Sequence, residues 1–153
     1  MGHNRDVSEG RNKGRDMAST ENTQQVTEAR CLRCGRKLAA PESVARRLGS
    51  GCAAKVAAAA KAADLSAWTA SQAEDARQAI EDGAVVPSNR EGVFHVVSTD
   101  GSEVHLVHPH GCNCTSGLKT SQPRPCWHRC AVAIVLASHA RVALAGARLG
   151  LAA

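Results

Sequence analysis

The chain has 153 residues and a net charge of +5, a length that suits one domain or two small ones. Apolar residues make up 43% of it but aromatic residues only 2%, and Ala supplies much of the difference. Burial yields about 25 cal/mol per Å² of apolar surface, so an Ala-rich core is weak; this excludes side-chain bulk as the sole support of the fold, and disulfides, metal or a partner must add to it.

The N-terminal stretch, beginning "MGHNRDVSEGRNKGRD", has few apolar residues and no periodicity, so residues 1–29 are expected to form a disordered tail. It lacks the apolar h-region of a secretory signal. The longest apolar run, "AVAIVLA" at 131–137, falls far short of the roughly 20 residues of a membrane span. The expectation is a cytoplasmic protein without membrane association. Thiols persist in a reducing cytosol, and clustered cysteines there bind metal more often than they pair. Seven is also an odd count of cysteines for full pairing.

Residues 30–63 hold Cys31, Cys34 and Cys52, with eight basic residues and one acid, Glu42. C-x-x-C followed by Gly35 is a zinc-knuckle geometry, in which the glycine lets backbone amides face the thiolates. Pro41 suits the first position of a helix that stops at Gly49. Cys52 opens the Ala-rich helix "CAAKVAAAAKAAD", and a helix N-terminus favours its thiolate. The fourth ligand expected three residues later would be Lys55, so the metal set is incomplete; the other reading is a redox-silent cysteine trio. The segment resembles a small, uncharacterised zinc-ribbon-like domain of actinobacterial and phage proteins. Cys31, Cys34, Gly35, Arg36, Leu38, Pro41, Ser43, Gly49, Gly51 and Cys52 carry that resemblance, and it implies zinc without implying an activity.

Residues 64–83 form a connecting helix. Ser71 and Glu74 have capping-box spacing, and Gly83 can end the helix after Asp82. Its paired carboxylates, Glu74–Asp75 and Glu81–Asp82, look like solvation. "VFHVVS" and "EVHLVH" flank an Asp100–Gly101 turn and make a β-hairpin. His95 and His105 on that hairpin read as surface or cross-strand histidines. His108 and His110 lie beside the loop that follows and read the same way; the alternative for His110 is support of a metal ligand from outside. His3 and His139 have no evident companions.

"GCNCTSGLKTSQPRPCWHRC" then places four cysteines and a histidine within residues 111–130. Tetrahedral zinc needs four soft or borderline donors at one point. Cys112 and Cys114 can share a metal from a tight turn, and Cys126 and His128 return to it after a Gly-, Ser- and Pro-rich loop. "CWHRCAVAIVLASHARVALAGARLG" reads as a closing helix, apolar nearly all round its first turns and so well buried. Cys130 lies four residues after Cys126 and could replace His128 in a Cys₄ set; the other reading makes it a small buried hydrophobe. Unrelated buried thiols are the competing account of the whole stretch.

The order β-hairpin, C-x-C, short loop, C-x-H, apolar helix resembles the SWIM zinc finger. The residues that carry it are "FHVVSTDGSEVHLVHPHGCNC" and "CWHRCAVAIV", about a third of the chain. The resemblance implies Cys112, Cys114, Cys126 and His128 as zinc ligands, and favours His128 over Cys130. It also implies a DNA-binding or protein-interaction role. A closed four-ligand site leaves no position for an activated water. No phosphate loop, nucleophile elbow or H-E-x-x-H is present, so the chain is expected not to be an enzyme.

Charge is divided along the chain. Residues 64–110 carry eight acids against two basic residues, whereas residues 111–153 carry five basic residues and no acid. Arg33, Arg36, Lys37, Arg46, Arg47 and Lys55 are candidate phosphate contacts around the first cluster; a solvated face is the plainer reading. The scarcity of aromatic residues disfavours stacking on single-stranded bases. The expected fold is α+β and zinc-stabilised. It has a zinc-ribbon-like segment with an Ala-rich helix at 30–63, a connecting helix at 64–83 and a SWIM-type domain at 84–153. The expected partner is nucleic acid, bound without sequence preference, or another protein.

Overall fold

The computed structural model describes residues 28–119 and 125–149, the stretch 140–149 as backbone only. Residues 1–27 of the expected tail lie outside the described residues. Ala29 is held in place: its carbonyl accepts the Leu38 amide at 2.8 Å, and Arg30 pairs with Lys37 in an isolated β-bridge. Glu28 adds ion pairs to Lys37 and Arg30 across this short clasp.

Pro41 starts α1 (Pro41–Arg46) as expected, since its missing N–H costs nothing in the first turn. The helix stops earlier than Gly49. Arg47 takes the left-handed cap conformation (φ 53°), and its amide returns to the Ser43 and Val44 carbonyls. The Arg47 carbonyl then accepts the Leu32 amide at 2.7 Å, so this turn belongs to the packing of the first cysteine loop. α2 (Ser50–Ala62) begins two residues before Cys52. α3 (Ala70–Glu81) carries a capping box, but from Thr69 and Gln72 rather than Ser71 and Glu74. The Gln72 amide donates to Thr69 Oγ1 at 3.2 Å, and the Thr69 amide donates to Gln72 Oε1 at 3.0 Å. Gly83 follows the helix at φ +70°, and a Cβ there would lie 2.2 Å from the Ala45 carbonyl oxygen. Only glycine lets the end of α3 approach α1 so closely.

The hairpin forms from β2 (Phe94–Val97) and β3 (Val104–His108), with Phe94 opposite Val107 and Val97 opposite Val104. Two short strands extend it to a four-stranded antiparallel sheet of order β1-β2-β3-β4: β1 (Val85–Pro87) and β4 (Gly111–Cys112). Neither outer strand was expected from the sequence. Each is too short to show a periodic pattern and exists because the central hairpin offers it a ladder.

α4 (Trp127–Leu149) is the hub. Cys130, Ala131, Val132, Ile134 and Val135 are buried on it, and it packs against α2, α3, β3 and β4. One buried cluster takes Cys31, Leu48 and Val56 from the 30–63 segment and Ala73, Ala76 and Ile80 from α3. It also takes Val85, Phe94, Val96 and Val107 from the sheet. Most of these side chains are small, so the core is thin, as the composition requires. The architecture is α+β, and among the described residues no helix is long and apolar enough to cross a membrane.

Candidate metal centres

Cys112 ends β4, and Cys114 follows it around a turn. Asn113 fixes that turn: its Oδ1 accepts the Leu106 amide at 2.9 Å, prolonging the β3–β4 ladder. The chain then folds back over Cys112. Gly117 comes so close that a Cβ on it would sit 2.1 Å from the Cys112 carbonyl oxygen. This approach lets the Gly117 amide donate to Cys114 Sγ at 3.3 Å, while the Cys114 amide donates to Cys112 Sγ at 3.4 Å. Amides aimed at sulfur favour the thiolate form, which is the form that ligates metal.

The second half of the site is positioned from α3. Trp68 Nε1 donates to the Cys126 carbonyl at 3.0 Å, and Gln72 Nε2 donates to the Pro125 carbonyl at 3.2 Å. Arg129 ties the first turn of α4 to the β3–β4 turn by donating from Nε and Nη2 to the Pro109 carbonyl at 3.1 and 3.0 Å. His128 is thereby carried on α4 to Cys112 at the end of β4 and Cys114 in the turn after it. The ligand atoms of Cys112, Cys114, Cys126 and His128 all lie within 4.8 Å of one another, and all four residues are buried.

The donor chemistry fits a metal. Both ring nitrogens of His128 are buried without a hydrogen-bond partner. An imidazole so placed is costly unless something accepts its lone pair or proton, and a metal accepts the lone pair. A hydrogen bond from Cys112 draws the Cys126 thiol down to about 3, against the effect of burial, with His128 adding to the fall. The same contact, with burial, pushes the Cys112 thiol up. Cys130 stands outside the donor group. It is fully buried, and burial pushes its thiol up to about 11, which fits a packing role.

For His105 the reading narrows from surface or cross-strand to cross-strand, opposite Val96. His105 is buried, not on the surface: its ring centroid lies 4.5 Å from that of His128, and Nε2 is 3.6 Å from Glu103 Oε2. His110 is exposed and lies 5.5 Å, ring to ring, from His108. The imidazole beside His128 is therefore that of His105. The Trp127 ring centroid also lies 3.9 Å from that of His128.

The N-terminal cluster also assembles. Cys31, Cys34 and Cys52 bring their sulfurs within 4.8 Å of one another, with Cys31 buried and Cys34 exposed. Gly35, at φ +71°, closes the loop by donating its amide to the Cys31 carbonyl at 2.9 Å. Burial alone would raise the Cys31 thiol. The backbone amides of Gly49, Cys34 and Arg33 outweigh it and bring Cys31 down to about 7. Cys52 behaves otherwise than its helix-terminal position suggested. Burial pushes its thiol up, against Arg33, and Cys34 and Cys31 add to the rise. Lys55 is exposed. None of the seven cysteines forms a disulfide.

The basic residues divide. Arg36, Lys37, Arg46 and Lys55 are exposed, and Lys37 pairs with Glu28. Arg47 is half-buried at the α1 cap. Arg33 is not a surface cation. Its Nη2 donates to the Ser138 carbonyl on α4 at 3.2 Å, its Nη1 lies 3.9 Å from Cys52 Sγ, and its Nε is buried. His139 does have a companion: burial, then Arg33, lowers its pKa. The signals that mark Arg33, His105 and Gly117 are packing signals, and local spacing carries none of them.

A family model described as a family of unknown function (DUF6011) matches residues 21–57, the stretch that holds Cys31, Cys34 and Cys52. No curated protein and no solved structure gives a match.

Proposed function

We propose that the chain is a zinc-binding, non-enzymatic module with a SWIM-type finger at 84–153 and a second zinc site at 30–63. We propose further that it binds duplex nucleic acid through the phosphates. The observation that carries the zinc reading is the buried set of three thiols and one unpartnered imidazole at Cys112, Cys114, Cys126 and His128. Three thiolates and an imidazole suit tetrahedral zinc, and four protein donors leave no coordination position for water. The role of that metal is then to hold a thin core together.

The nucleic-acid reading draws on charge. Arg36, Arg46, Lys55 and Lys61 are exposed within one segment that has a single acid. Such cations neutralise phosphates and release counterions, so affinity falls steeply with salt. Fluorescence anisotropy with unrelated duplexes at two salt concentrations tests this. Arg46→Glu with Lys55→Glu should weaken binding to every sequence alike and flatten the salt slope, by about one unit for each phosphate left without its cation. Arg47 is left alone because its backbone conformation closes α1. Absence of binding at low salt removes this reading.

A second reading, a protein-interaction adaptor, draws on the outer face of the sheet. Val104 is 58% exposed and Leu106 49% exposed on β3. Large apolar side chains on an open sheet face are suited to burial against another protein.

A further inference from the structure

The two cysteine clusters differ in one respect that bears on what they bind. The C-terminal group has four protein donors and is buried throughout. The N-terminal group has three, and among the described residues no fourth Cys, His, Asp or Glu joins it. We propose that the N-terminal cluster is a coordinatively open zinc site whose fourth position takes an imidazole nitrogen or a thiol sulfur from outside this chain. The inference rests on the zinc reading of this cluster and goes beyond it by naming the missing ligand's class.

The cluster has a closed side and an open side. Cys31 is buried, and the Cys52 side is occupied by the Arg33 guanidinium, itself anchored on the Ser138 carbonyl of α4. The opposite edge is different. Cys34 is exposed to solvent. The residue three after Cys52 is Lys55, an exposed ammonium that has no lone pair to give while protonated. The edge at Cys34 is therefore the side from which a fourth donor can arrive.

Charge and chemistry narrow the donor. Divalent zinc with three thiolates carries a net negative charge, and the fixed Arg33 guanidinium offsets it. A neutral imidazole preserves that balance, whereas a fourth thiolate adds a charge with no partner. Imidazole is thus the preferred class, and thiol the weaker one. Among the described residues, one internal competitor stands nearby. His139 follows Ser138 and has a buried Nε2 without a partner, but it lies outside the group of mutually close donors.

The test uses the full chain loaded with cobalt(II) in place of zinc, read by its visible d–d absorption while imidazole, and separately 2-mercaptoethanol, is added. Two metal equivalents are expected. The bands of one should shift saturably, at lower concentration for imidazole than for the thiol. Cys34→Ser, at an exposed position, should lose the response, and His139→Ala should keep it. Two bound equivalents with a spectrum indifferent to both additives would overturn the open position and leave the zinc reading intact. A single equivalent in the wild type, bound by the C-terminal site, would overturn both. A response that survives Cys34→Ser, or that first emerges in His139→Ala, also overturns the proposal, because the open position is then elsewhere or the fourth donor is internal. Sedimentation at rising protein concentration separates two sources, both of which satisfy the proposal: a donor from a second copy gives a metal-dependent dimer, and a donor from another molecule does not.

Discussion

The His105 imidazole lies against that of His128, with ring centroids 4.5 Å apart and the planes tilted by 59°. One comes from the middle of β3 and the other from the first turn of α4, so the pair joins sheet to helix at the candidate metal centre. His128 has two unpartnered nitrogens, whereas His105 approaches the Glu103 carboxylate. The two rings therefore have different work. His128→Ala should lose the C-terminal metal outright. His105→Phe, which keeps a flat ring in the same space, should retain it. His105→Ala should retain the metal but lower stability by about 1–3 kcal/mol, through the cavity it leaves. Elemental analysis and thermal melts of the three variants check this ranking, and metal loss in His105→Phe would make His105 a ligand.

Cys126 and Cys130 lie one helical turn apart and should behave as opposites. Cys126 is in the donor group, and its backbone is gripped by Trp68. Cys130 is fully buried outside that group. Cys126→Ser, or chelation of the wild type, should unfold the C-terminal half, because structural zinc is worth roughly 10–16 kcal/mol of apparent binding free energy at neutral pH. Cys130→Ala should keep the metal at a packing cost of about 1 kcal/mol. Zinc content and the melting transition together decide; metal lost in Cys130→Ala but kept in His128→Ala would mean a Cys₄ site.

Local spacing made part of this legible and packing hid the rest. C-x-C and C-x-H could be read because each pair is close in sequence and the ligand types are restrictive. The hairpin was legible from β-branched residues on either side of Asp100–Gly101. His105 was not, because "VHLVH" gives its better hydrophobes to the wrong face. Val104 and Leu106 point outward, and His105 and Val107 point inward. A polar ring is buried there because His128 and the cysteines give it a polar neighbourhood, a reason absent from the hydropathy pattern. Arg33 looked like its neighbours Arg30 and Arg36. Only the fold, which brings Ser138 to it across 105 residues of chain, sets it apart. The cap of α3 moved by two residues for a similar reason. Thr69 and Ser71 are both competent caps, but starting at Thr69 leaves Gln72 able to close the box and to hold the Pro125 carbonyl.

The hairpin loop has its own pH signature. Asp100 Oδ1 accepts from Ser98 Oγ at 2.6 Å, and from Ser102 Oγ and the Ser102 amide at 2.8 and 3.1 Å. Ser98 first, then Ser102, bring its carboxyl from 3.8 down to about 2. A carboxyl lowered by folding adds stability that is fully present above its unfolded pKa and is lost as pH falls through the folded one. The contribution should therefore be intact near neutral pH and fade below about pH 4. An NMR titration of the Asp100 side chain should show it still ionised near pH 4. Ser98→Ala should move its midpoint up toward 3.8. A wild-type midpoint already at 3.8 would remove the hydrogen-bond argument.

Gly117 tests whether the loop geometry, and not only the ligand set, builds the C-terminal site. Its backbone passes so close to Cys112 that a Cβ would stand 2.1 Å from the carbonyl oxygen and 3.0 Å from the Cys112 Cβ. The obstructing oxygen belongs to β4, which the pairing of Val107 with Cys112 holds in the sheet, so it cannot yield as a flexible side chain would. Gly117→Ala must therefore push the 114–118 loop away. That movement would lengthen the 3.3 Å contact from the Gly117 amide to Cys114 Sγ. The expected result is weaker zinc binding with all four ligands still present, and a stability loss of about 1–3 kcal/mol, the usual range for forced overpacking. Gly111→Ala is the matched control, because a Cβ there meets nothing within 4 Å. Competition with a chromophoric chelator, run on both variants, reads the affinity directly. Equal zinc affinity in the two would show that the loop adapts and that the ligands alone define the site.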